Sequence, residues 1–335
     1  VNIKNIANIK NVNLKNVDMS KSNALVKKHA PSVVANIIRY VFFLSLSYVL
    51  IYPFIFMLVN SFMGISDSYD VTVKWVPKNP TFQNFVDAWT VFDIGKSLPR
   101  TLIYEIVTAL IQFITCAVAA YGMARFKIKG KGILSALMIL NILVPSMMII
   151  IPSFVQLSNF DPFGICTLFN KLFGWDLPNL IGTPLVFYLP GLMGVGLKGG
   201  LYIYIYTQFF KGLPKELEEA AWIDGAGPWK TFLTIVLPSS GSAMITVLLF
   251  SVIWHWNDLF LAEMYMNEPT FSAAISGFSQ STVVNMLNID GALASLIEVP
   301  VLLAGCLIFV APVLIFYLLI QRKFVASIAT SGIVG

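Results

Sequence analysis

Residues 40–59 run for twenty positions without a charge. As a helix that run is long enough to cross a hydrocarbon core of about 30 Å. Inside a bilayer a segment must pair its own backbone groups, so the chain is restricted to helices wherever such runs occur. Comparable apolar runs, two of them carrying a single charge, Glu105 or Lys198, cover residues 101–124, 133–157, 190–210, 235–257 and 299–320. Six transmembrane helices are expected, in an all-α integral membrane protein. The third run contains Pro145 and Pro152. The fourth follows an outer or partly inserted segment, 177–188, and is interrupted by Pro190, Gly191, Gly194, Gly196, Gly199 and Gly200.

Composition agrees. Only 12% of the 335 residues are charged and 57% are hydrophobic, against about 25% charged in a soluble domain. The net charge of +5 reflects topology rather than nucleic-acid binding. With the amino terminus placed inside, sixteen of the 22 Lys and Arg residues fall in cytoplasmic segments, as the positive-inside rule requires. Both termini and the long loop 211–238 are then cytoplasmic. Residues 1–32, rich in Asn and Lys, read as a flexible basic arm rather than a cleavable leader. Residues 33–323 are expected to form the six-span transmembrane domain and 324–335 a cytoplasmic tail. A short helix with Thr81 as its cap is expected in the outer segment 66–100.

The sequence excludes several chemistries. Three cysteines, Cys116, Cys166 and Cys306, show no metal-ligand spacing or disulfide framework. His29 and His255 lie far apart, and no nucleophile–base constellation appears. No GxxxxGK[ST] run is present, so the chain has no phosphate-binding loop of that type. No catalytic residue, metal ligand or cofactor is assigned to it.

The loop 211–238 carries the most specific pattern. Lys215–Ala221 is a helix-forming run, its two alanines leaving a face of little bulk. Gly225 and Gly227 permit a turn after it. Glu219-Ala220-Ala221, then Gly225, Ile235 and Leu237-Pro238, resemble the EAA loop of bacterial ABC importer permeases without departure. More of the chain is similar to the maltose-type carbohydrate branch of that binding-protein-dependent family. Residues 119–126, the lead 208–217, Trp256-Asn257-Asp258 and the ending Gln321-Arg322-Lys323-Phe324-Val325 carry that likeness. Residues 161–182 look like extra length, and Leu98-Pro99-Arg100 replaces a usual Asn-Ser.

The resemblance implies an ABC importer type I permease fold. It implies a coupling helix that docks in a groove of a separate ATPase subunit through Glu219, Ala220, Ala221, Asp224, Gly225, Ile235, Leu237 and Pro238. It implies a second homologous permease subunit, two ATPase subunits holding ATP and Mg, and an extracellular solute-binding protein that delivers a sugar. Glu219 either pairs with a basic residue of that groove or caps its own helix, where the dipole favours a carboxylate. Asp224 is a second contact or simply solvated. Gly225 is read as a required turn.

Lys198 is the least expected residue, because an ammonium within a span costs roughly 2.5–3.5 kcal/mol and usually marks a pathway or a pair. With Trp254 and Asn257 it is the candidate for the translocation pathway. Glu105 and Glu298 sit near span ends, where a carboxylate reaches water. Tyr202, Tyr204 and Tyr206 alternate at period two, so they cannot all line one cavity of a helical protein. The alternatives are an ABC permease for a polyamine or peptide, and an ion-coupled secondary transporter using Glu105, Lys198 and Glu298.

Overall fold

The computed structural model describes residues 19–174 and 176–331, with side chains from residue 35 to 325 apart from Tyr69, Phe163 and Trp175. Seventeen α-helical segments follow in order: α1 (Met19–Ser61), α2 (Ile65–Tyr69), α3 (Gln83–Val91), α4 (Ile94–Arg125), α5 (Lys131–Leu143), α6 (Ser146–Ser158), α7 (Ile165–Phe173), α8 (Leu185–Leu192), α9 (Gly199–Gly212), α10 (Glu216–Ile223), α11 (Pro228–Thr231), α12 (Leu237–Ser239), α13 (Gly241–Trp256), α14 (Phe260–Tyr265), α15 (Phe271–Ser276), α16 (Gln280–Leu287) and α17 (Gly291–Ser331). Among the described residues no strand occurs, only one isolated bridge between Met63 and Pro80. The chain divides into two compact units, Val1–Phe56 and Met57–Gly335.

The first unit is helical from Met19 onward, so α1 extends into the stretch expected to be an arm, and residues 1–18 lie outside the described residues. Its apolar side chains, including Tyr40, Leu44 and Val49, are exposed all round the helix. Such a helix suits an apolar solvent. At the other end α17 takes in most of the expected tail, and residues 332–335 lie outside the described residues.

In the second unit α4 is the central helix, packing on α8, α9 and α13, while α13 also packs on α17. One core joins Cys116, Ala120 and Tyr121 of α4 to Tyr202, Tyr206 and Phe210 of α9, with Phe232, Val236 and Val247 closing it. A second gathers Ala88, Phe92, Phe271, Val283, Ala294 and Val301. A third joins Ile150 and Leu157 of α6 to Leu180, Val186 and Tyr265. Gly200 lets α9 cross α5 closely: a Cβ there would stand 2.6 Å from Asn141 Oδ1 and 2.8 Å from Met138 O. The expected short helix is α3, but Phe82 and not Thr81 is its cap residue; Thr81 lies one position earlier, its Oγ1 accepting from Gln83 N at 3.1 Å.

Three stretches, Ala35–Ser61, Ile94–Arg125 and Gly291–Val325, are long and apolar enough to cross a membrane as single helices, and two bent pairs raise the number to five. The expected third span is broken, α5 and α6 meeting at 107°. Pro145 has no amide to donate, and Val144 before it is extended at ψ 119, as the residue preceding a proline prefers. The expected fifth span bends by 81° between the segment Pro228–Ser239 and α13. The expected fourth span is two pieces, α8 of 8 residues and α9 of 14. Its glycines and Pro190 produce a turn at 193–198 instead of a continuous helix.

Candidate coupling surface and transport cavity

The loop helix α10 is held by its neighbour α4 rather than standing free. Glu218 is 3% exposed, and its Oε1 lies 2.5 Å from Arg125 Nε. Tyr121 Oη donates to Glu218 Oε2 at 3.1 Å. Arg125 also donates through Nη2 to Leu213 O at 2.9 Å, so one guanidinium fixes both the lead into the helix and the helix itself. A buried charge without such a partner would be strongly unfavourable. Ala221, one turn after Glu218, is buried on the same face.

The rest of the helix surface is open. Glu219 and Ala220 are exposed, and so are Trp222 and Ile223, the latter at 87%. Among the described residues the Glu219 carboxylate has no hydrogen bond or ion pair, and no side chain caps α10. That geometry favours an outward role for Glu219 over capping. Asp224, exposed, ends the helix. Gly225 follows at φ 80, the left-handed turn that glycine adopts without strain.

The second half of the pattern performs a different task. Phe232–Val236 is one π-helical turn between α11 and α12, with Leu237 N donating to Phe232 O. Pro238 would crowd the carbonyl four residues back in a regular helix, and the wider turn makes room ahead of it. Ile235 and Leu237 are half-buried and Pro238 is exposed. Leu237 packs beside the core of Tyr121 and Phe210.

Lys198 was expected within a helical span, but it occupies the break before α9, at φ 60. Its Nζ lies 4.7 Å from the centre of the Trp254 ring. Two of the three pathway candidates therefore meet. Asn257 does not join them, since its Nδ2 donates to Ile253 O of its own helix at 2.8 Å. Beside Lys198 is a cavity of about 90 Å³, whose polar lining includes Thr108, Asn141, Ser146, Ser153 and His255, and no carboxylate. His255 Nδ1 lies 2.7 Å from Ser251 O. A carbonyl only accepts, so Nδ1 carries the proton. Gln112, fully buried, donates to Leu197 O at 3.3 Å and ties α4 to the break.

Glu105, expected to reach water at a span end, has its Oε2 buried without a hydrogen-bond partner among the described residues. It forms no ion pair with Lys198, nor does Glu298. Tyr202 and Tyr206 are fully buried while Tyr204 is 41% exposed, as their period-two spacing required. No group of three or more His, Cys, Asp or Glu able to hold a metal occurs among the described residues.

These features define a polytopic helical membrane protein with a helix-bearing loop pinned to its central helix. The family model for the binding-protein-dependent transport system inner membrane component matches residues 113–330, and the chain belongs to that family. It is a permease subunit of an ABC import system, located in the membrane, and the EAA loop with its coupling helix is a family feature. The chain is 28% identical over 287 residues to the diacetylchitobiose uptake system permease protein NgcG of Streptomyces coelicolor, covering 84% of each chain. It is 28% identical to the probable starch degradation products transport system permease protein AmyC of Thermoanaerobacterium thermosulfurigenes, covering 86% of this chain and 93% of that one. The melibiose/raffinose/stachyose import permease protein MelC of Bacillus subtilis is 26% identical, with 84% and 91% covered. In fold, the chain is similar to a solved bacterial ABC transporter involved in import of the acidic polysaccharide alginate. There the TM-score is 0.68 and the identity 19%, over 88% of this chain and 98% of that one.

Proposed function

We propose that this subunit carries a sugar across the membrane and is driven through the outward face of α10. The relatives named for sugars support the substrate class. The observation that carries the coupling role is the two-faced α10: Glu218 locked beneath on Arg125, Glu219, Ala220, Trp222 and Ile223 turned outward. A helix built that way passes a push from a bound partner directly into α4. In this reading the chain has six spans and cytoplasmic termini and pairs with a second homologous permease. Two ATPase subunits bind ATP and Mg and dock on the loop through Glu219, Ala220, Asp224 and Gly225, while Ala221, Ile235 and Leu237 shape its inner side and Pro238 the turn that follows. An extracellular solute-binding protein delivers the sugar. Lys198 and Trp254 line the translocation pathway, and the chain itself performs no hydrolysis.

Affinity purification of the chain from its native membrane in mild detergent tests the assembly. An ATPase, a second permease and a sugar-binding protein are expected to co-purify. Recovery of the chain with no ATPase would overturn the coupling role. Co-purification of a binding protein that holds a polyamine or peptide would overturn the substrate.

A further inference from the structure

The loop 159–182 takes no part in the coupling surface, and its sequence looks like extra length against the family pattern. Its helix α7 places Ile165, Leu168, Phe169, Leu172 and Phe173 at spacings of three and four. At 100° per residue these five fall within an arc of about 140°. Cys166, Thr167, Asn170 and Lys171 occupy the rest. The apolar arc is open: Ile165 is 49% exposed, Leu168 55% and Leu172 65%.

The loop is capped locally and closed at its base. Asp161 Oδ1 accepts from Cys166 N at 2.8 Å, and its Oδ2 accepts from Thr167 Oγ1 at 2.5 Å. Gly174, at φ 70, stops the helix. Two backbone bonds close the base of the loop onto the end of α6: Phe160 N to Pro178 O at 3.0 Å, and Leu180 N to Leu157 O at 2.9 Å. Seven residue steps separate Ser158 from Ile165, a reach of at most about 25 Å. The exposed apolar side chains Ile151 and Val155 lie on α6, half of a bent pair apolar enough to enter a membrane. The loop that carries α7 is therefore anchored at the end of an apolar helix with open apolar side chains.

We propose that α7 is an interfacial helix. It lies along the membrane–water boundary, with Ile165, Leu168, Phe169, Leu172 and Phe173 in the acyl region and Lys171 reaching the headgroups. Lipid is favoured over a soluble partner by this anchoring at the end of α6 and by the single lysine on the polar side, whose stem suits a snorkelling position. The inference uses the membrane location alone and does not depend on which solute is carried.

Fluorescence quenching in lipid nanodiscs tests it on the full chain with its natural partners. Leu172→Cys and Lys171→Cys are each labelled with an environment-sensitive NBD dye. Cys166 and Cys306 are replaced by serine, and the buried Cys116 is left in place. The dye at position 172 is expected to emit further to the blue and to be quenched about threefold more by lipids bearing a nitroxide near the carbonyl than the dye at 171. Aqueous iodide should reverse that order. Equal iodide quenching at both positions would overturn the proposal. So would a dye at 172 shielded from both quenchers, which would assign the face to a protein partner.

Discussion

Arg125 Nε lies 2.5 Å from Glu218 Oε1, and the two side chains are 7% and 3% exposed. One belongs to the last turn of the central helix and the other to the loop helix α10, so the pair is the rigid joint between span and loop. Glu219, the next residue, faces the other way.

Breaking the joint on one side should be worse than removing it whole. Arg125→Met or Glu218→Leu leaves a buried charge unpaired, at a cost of about 3–5 kcal/mol. Each single variant is expected to insert in the membrane but lose most uptake and expose the loop to protease. The double variant should recover part of both, because an apolar pair of similar volume is tolerated. Equal damage in the single and double variants would show that the charges do not act as a pair.

Gly225→Val should disconnect the drive without unfolding the spans. A β-branched residue at φ 80 is strained by about 1–2 kcal/mol or more. Uptake should fall while the amount of chain in the membrane stays constant. Gly212, the last residue of α9 and without a left-handed φ, serves as the control, and Gly212→Ala should be silent.

At the α5–α9 crossing, Gly200→Val should destabilise the second unit by about 1–3 kcal/mol, since its Cβ would meet Asn141 Oδ1 at 2.6 Å. A lowered thermal midpoint of the detergent-solubilised protein is the readout. An unchanged midpoint would mean the two helices part at little cost.

Lys198→Met should reduce uptake while leaving ATPase recruitment intact, and Trp254→Leu should act in the same direction. Neither residue touches α10, so their effect separates pathway from coupling. Normal uptake in both variants would make the contact at 4.7 Å a packing feature only.

The segment 65–80 should loosen in acid. The Asn79 backbone amide holds the Asp67 carboxyl below its ordinary range, and Lys78 does the same for Asp70. Groups with depressed folded values stabilise above the unfolded value, about pH 4, and lose that contribution as pH falls through the folded values. Hydrogen exchange of this segment should quicken below about pH 4. Asp67→Asn should quicken it at neutral pH and flatten the dependence.

Hydropathy made α1, α4 and α17 legible, because a long uncharged run has one structural solution in lipid. It also placed the coupling loop between two apolar runs. The breaks were less legible. Pro145 was visible, yet the 107° turn between α5 and α6 depends on how neighbouring helices receive the freed carbonyls. Lys198 looked like a charge inside a span because Pro190 and five glycines do not say where the chain turns. Glu218 escaped notice altogether. Glu216, Glu218 and Glu219 are equivalent by composition, and only partners far earlier in the chain, Tyr121 and Arg125, distinguish the buried one. The exposed apolar residues Trp222 and Ile223 were also passed over in the sequence, although two large apolar side chains in a polar loop helix are a signal of a partner surface.

The most direct measurement is site-directed cross-linking in native membranes. Ala220→Cys, on the outward face of α10, is compared with Val76→Cys, an exposed position in the segment after α1. The account predicts a cross-link from position 220 to an ATPase subunit, with yield that changes when ATP is added, and none from position 76. An intact, transporting complex in which position 220 never cross-links to an ATPase would contradict it.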